Sequence, residues 1–112
     1  MKELIISTKL ASAVLGKEVT KCSLINKARN SINITYFEDK EDFNTICREW
    51  NIYEFAFKCK EWARDKYDIT ISSSLYKNYA KSWNIDKDKS YTAKTEVEVI
   101  IEACSGILEE NK

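Results

Sequence analysis

The chain has 112 residues, 44% of them hydrophobic, with three Trp, six Tyr and four Phe; that suffices for one packed core and is too rich in core-forming side chains for a disordered chain. Eighteen basic residues against eighteen acidic ones leave no net charge and no long single-sign run, so the basic excess through which nucleic-acid binders neutralise phosphate is missing. No stretch approaches the roughly 20 apolar residues of a membrane span, and the short apolar run Leu4 to Ile6 is no secretory signal, so the expected location is the cytoplasm.

The elements follow in chain order. Ser7 and Thr8 are good N-cap residues, Leu10, Ala13 and Val14 share a helical face, and Gly16 stands where a helix ends, which predicts a short first helix. Val19–Ile25 and Ile32–Phe37 are β-branched, apolar or alternating, and the polar run from Asn26 to Ser31 joins them as a hairpin whose Ile32, Ile34 and Tyr36 face the core. Phe43–Trp50 fits either periodicity and is read as an edge strand.

A second helix opens at Asn51, whose spacing to Glu54 is that of a capping box, and runs to about Lys66. Its buried stripe is Ile52, Phe55, Ala56, Cys59, Trp62 and Ala63 at the i, i+3, i+4, i+7 spacing, with Tyr53 and Phe57 beside it. Ile69, Ile71 and Ser73 alternate, and Leu75–Trp83 reads as one alternating run, with Tyr76, Asn78, Ala80 and Ser82 on one side and Leu75, Lys77, Tyr79, Lys81 and Trp83 on the other. After the charged turn of Asp86, Lys87, Asp88 and Lys89, Ser90–Ala93 forms a third strand. Thr95 and Glu98 then form a second capping box, and the last helix, striped by Val97, Ile100, Ile101, Cys104, Ile107 and Leu108, reaches about Glu109. Gly106 inside it costs about 1 kcal/mol relative to alanine.

These elements predict a single α+β domain over 1–112: antiparallel β-sheet packed against amphipathic helices, in the order α-β-β-(β)-α-β-β-(β)-α. Residues 1–50 form a helix-and-hairpin part and 51–110 a helix-strands-helix unit.

The chemistry is constrained by what the chain lacks. Without histidine there is no Ser-His-Asp or Cys-His triad, and two glycines, Gly16 and Gly106, cannot form a phosphate-cradling loop. Cys22, Cys47, Cys59 and Cys104 show no Cys-x-x-Cys interval, so no metal site is expected; Cys59 and Cys104 sit mid-stripe as small buried hydrophobes. Asp39, Glu41 and Asp42 lie in a polar connection where acids face solvent. No catalytic residue, enzyme activity or cofactor is expected.

The run Asn51-Ile52-Tyr53-Glu54-Phe55-Ala56-Phe57-Lys58-Cys59-Lys60-Glu61-Trp62-Ala63, two strands, and a helix from Thr95 to Leu108 with Glu102-Ala103-Cys104 inside it resemble the phage αβα-sandwich domain family of small phage and prophage proteins. The resemblance covers residues 51–108 and is one of packing pattern. It implies a fold and a viral origin, hence the cytoplasm of a host bacterium, and carries no activity or catalytic residues. Members tend to have proline at the start of the last helix, where this chain has Thr95-Glu96-Val97.

Two functions compete. An accessory protein that binds a host or phage protein, and that in one special case inhibits it, suits a neutral, aromatic-rich chain, with Tyr76, Tyr79, Lys81, Trp83 and Tyr91 as the candidate binding residues. The alternative is a nucleic-acid-binding module, because Lys77, Lys81, Lys87, Lys89 and Lys94 interleave with the same rings and the helix-strands-helix layout resembles double-stranded RNA-binding domains. Glu96 and Glu98 at the opening of the last helix argue against it by repelling phosphate. A third expectation is a homodimer formed through an edge strand.

Overall fold

A computed structural model describes residues 6–23, 25–26, 28–39, 41–85 and 89–111. The described chain has three helices and two three-stranded antiparallel sheets, in the α+β class and element order read from the sequence: α1 (Thr8–Leu15), β1 (Val19–Cys22), β2 (Ser31–Asp39), β3 (Asn44–Asn51), α2 (Ile52–Tyr67), β4 (Ile71–Leu75), β5 (Ala80–Asn84), β6 (Lys89–Ala93) and α3 (Glu96–Glu110). The expected opening run contributes only Ile6 to these residues; Leu4, Ile5 and the turn residues Asp86, Lys87 and Asp88 lie outside them. Among the described residues no helix is long and apolar enough to cross a membrane. The chain divides into two compact units, Met1–Phe55 and Ala56–Lys112, with the boundary in the first turn of α2.

In the first unit Ser7 caps α1 by accepting from Leu10 N–H, and Gly16 ends it at φ 65°, donating to Ser12 C=O. Leu10 and Ala11 are the buried positions of α1, while Ala13 and Val14 are half-buried. The Ser12 hydroxyl then accepts from Val19 N–H at 3.0 Å, tying the helix to β1. The sheet order is β1-β2-β3, and Ile32, Ile34 and Tyr36 of the central strand are buried as their alternation requires. β1 stops at Cys22, short of the expected Ile25, because Asn26 is already bridged to Ser31 in a tight turn with Asn30 at φ 51°. Phe43–Trp50 resolves as the strand β3 on the sheet edge, preceded by Phe43 at φ 57°. Asn51 caps α2 through Oδ1, which accepts from Tyr53 and Glu54 N–H.

All six stripe residues of α2 are buried, whereas Tyr53 and Phe57 are exposed. In the second unit α2 ends on Asp68, a non-glycine αL residue at φ 56° whose N–H donates to Arg64 C=O, while Ile69 N–H donates to Ala63 C=O. The sheet order is β4-β5-β6 with α3 across one face: Ser82 Oγ donates to Val99 C=O, and Ser73 Oγ donates to a Glu96 carboxylate oxygen at 2.9 Å. Thr95 caps α3 through Oγ1, which accepts from Glu98 N–H. The other side of α3 meets α2, where the Cys104 thiol donates to Cys59 C=O at 3.4 Å. Because α3 lies between sheet and helix its buried arc is wider than one stripe: Val99 and Ala103, absent from the sequence-derived set, are both fully buried, and Leu108 is half-buried.

One expectation fails. Leu75–Trp83 is a hairpin, not one strand: Lys77 and Asn78 make the turn, Tyr76 N–H donates to Tyr79 C=O, and Leu75 pairs with Ala80. A two-residue turn reverses the parity of the first arm. Tyr76 therefore joins Tyr79 rather than Ala80 and Ser82.

Candidate functional site

The sheet face turned away from α3 is built by that parity. Ala80, Ser82 and Asn84 are buried on the α3 side, so Lys81 and Trp83, alternating with them, point the other way. Cross-strand pairing adds Ser72 opposite Trp83, Ser74 opposite Lys81, and Ser90 and Thr92 from β6. The hairpin end carries Tyr76 and Tyr79, each 44% exposed, with rings stacked at 5.0 Å and 23°. Lys81 Nζ lies 5.4 Å from the centroid of the Trp83 ring, within cation–π range.

The face thus presents Ser72, Ser74, Tyr76, Tyr79, Lys81, Trp83, Ser90 and Thr92. None of the eight is acidic, one is cationic, and the rest are aromatic rings and hydroxyls. Stacked and ring-bound side chains are partly pre-ordered, so less rotamer freedom is lost when a partner covers them.

Of the five candidate binding residues the structure brings four together. Tyr91 lies apart: it pairs with Ser82 and its ring covers Gly106 of α3, on the opposite side of the sheet. The four hydroxyl residues that complete the face escaped sequence reading because Ser and Thr carry no signal until strand register is known. Of the lysines, Lys77 is exposed in the hairpin turn, Lys87 lies outside the described residues, and Lys89 forms an ion pair with Glu110.

Elsewhere Asp39, Glu41 and Asp42 are exposed at the β2–β3 turn, where Asp39 Oδ1 accepts from Glu41 N–H. The four cysteines are free thiols; Cys59 and Cys104 are fully buried and Cys47 is exposed. The Cys59 thiol is pushed far up from its ordinary value, first by its hydrogen bond with Cys104, then by burial and the charge that Cys104 would carry; burial also raises Cys22. Such thiols are poor nucleophiles.

Compared with protein-family models, with curated proteins and with solved structures, the chain matches none.

Proposed function

We propose that this chain is a small phage or prophage accessory protein that works in the cytoplasm of its bacterial host by binding a host or phage protein through the face of β4–β6 turned away from α3. The observation that carries the reading is the composition of that face: two tyrosines and a tryptophan among four hydroxyl side chains. Tyr and Trp supply large, rigid, amphipathic contact area while Ser and Thr adapt their hydrogen bonds, the combination that protein-binding surfaces favour. With Lys81 as its charged residue, the face suits a partner surface bearing a carboxylate. The resemblance of residues 51–108 to phage αβα-sandwich domains supports the viral origin.

The test is to capture the partner from the host, identify it, and titrate it against the purified chain. Tyr79→Ser and Trp83→Ser are expected to weaken binding at least about tenfold each, as interface hot spots do; Phe43→Ser, in the first unit, is expected to leave it unchanged. Equal affinity of all variants overturns the reading.

The same face favours a second reading in one respect. A lysine over an indole, on a face whose eight described residues include no acid, also suits the stacking of single-stranded bases. Titration with single-stranded DNA and RNA at low salt separates the two: quenching of tryptophan fluorescence that salt abolishes and Trp83→Ser removes selects nucleic acid, and no quenching selects protein.

A further inference from the structure

Among the described residues the longest sheet edge belongs to β3, whose eight residues form a strand ladder with β2 and with no other described strand. In β2 the backbone groups of alternate residues turn toward β1: Asn33 C=O accepts from Ser23 N–H, and Phe37 N–H donates to Glu18 C=O. The residues between them, Ile32, Ile34 and Tyr36, therefore bond to β3, where the register sets Trp50, Arg48 and Ile46 opposite them. That leaves Thr45, Cys47 and Glu49 with backbone N–H and C=O pointing off the edge. All three are exposed, Glu49 with its carboxylate paired to Arg29 at 3.1 Å, and the strand carries no proline or lysine, only Arg48 and Glu49 as charges.

We propose that β3 pairs antiparallel with β3 of a second copy about a two-fold axis at Cys47, joining two three-stranded sheets into one of six strands.

The register follows from geometry and charge. Two identical antiparallel strands related by a two-fold axis normal to the sheet keep facing residues on one side of it, so the axis must pass through a residue and not between two. The two central choices in Asn44–Asn51 are Cys47 and Arg48. An axis at Arg48 sets two guanidinium groups directly opposite, and one at Glu49 does the same with carboxylates, both of which are repulsive. With the axis at Cys47, Thr45 faces Glu49 of the other copy, Ile46 faces Arg48, and no like charges meet. The outward set is symmetric about Cys47, so every outward N–H of Thr45, Cys47 and Glu49 meets an outward C=O of the second copy. In the Cys47 register the strand is thus self-complementary in backbone pairing and free of facing like charges, which is what a second copy of this chain as the occupant requires.

Cys47 then reports the contact. Hydrogen-bonded antiparallel partners stand about 5.5 Å apart at Cα, inside the range of about 4.4–6.8 Å that a disulfide spans. The expected mass in solution is that of two 13.0 kDa chains, and mild copper-catalysed oxidation is expected to give a disulfide-linked dimer that Cys47→Ser abolishes while the non-covalent dimer persists. Cys47→Pro removes one outward N–H and no bond of the intramolecular ladder, so it is expected to weaken dimerisation more than tenfold with an unchanged circular dichroism spectrum. A monomer at every concentration up to the solubility limit overturns the proposal, as does a dimer whose oxidation is the same in Cys47→Ser. If Cys47→Pro fails to fold, the Cys47→Ser oxidation result alone decides.

Discussion

The hydroxyl of Tyr91 occupies the space that a Cβ on Gly106 would need. A Cβ built there overlaps that oxygen and stands 3.0 Å from Cζ of the ring. As a helix residue Gly106 costs about 1 kcal/mol relative to alanine, but the vacancy lets the edge strand β6 close against α3.

Gly106→Ala is therefore expected to lower stability, because an overpacked contact costs about 1–3 kcal/mol and exceeds the gain in helix propensity. Combining it with Tyr91→Leu removes the clash, and the alanine should then show its helix-forming benefit. Chemical denaturation of the four members of the cycle checks this; additive effects would mean that the two residues do not meet.

The raised Cys59 thiol makes stability depend on pH. An unfolded thiol ionises at about pH 8.5. Below that both states hold the proton and the full stabilisation is present; above it only the unfolded chain releases the proton, so stability falls as pH rises, approaching ~1.4 kcal/mol per pH unit. Cys22, half-exposed, adds less in the same direction. Urea midpoints measured at about pH 7 and about pH 9.5 should separate, and Cys59→Ala should reduce the separation. An undiminished slope in that variant assigns the pH dependence to other groups.

The two ends of α2 and α3 give opposite expectations. Thr95→Ala removes the oxygen that accepts from Glu98 N–H and should cost about 1 kcal/mol. Asp68→Gly replaces an L-residue held at φ 56° and should raise stability by about 1 kcal/mol. Thermal unfolding of both variants tests the pair, and two shifts of the same sign would count against this account of the caps.

Asn84 is buried on the α3 side of β5, and among the described residues its Oδ1 has no hydrogen-bond partner. Valine fills a similar volume without desolvating an unpaired acceptor. Asn84→Val is expected to leave stability unchanged or raise it by about 1 kcal/mol; a loss of more than about 2 kcal/mol would show that the amide is satisfied in solution.

Local signals in the sequence carried the elements whose physics is local. Ser7, Asn51 and Thr95 cap the helices because a short polar oxygen before an apolar period reaches an otherwise unbonded N–H, and the alternation of Ile32, Ile34 and Tyr36 survives burial on one face. The hairpin at Lys77 and Asn78 was not legible, since it has no glycine or proline and its arms continue an alternation that runs through the turn. Val99 and Ala103 were missed because a one-sided stripe cannot reveal that α3 is covered on two sides. Gly106 was legible as a weakness and not as a contact, because its partner lies on another strand.

The position of α3 in the chain has a further consequence for synthesis. β4, β5 and β6 emerge first, and the face that holds Ala80 and Ser82 lacks the helix that covers it until the 15 residues of α3 follow. At a ribosomal rate of about 5–20 residues per second that interval lasts on the order of 1–3 s, far longer than a hairpin takes to form. The nascent sheet waits half-naked through that interval, and a chaperone that shields apolar strands has its opportunity there.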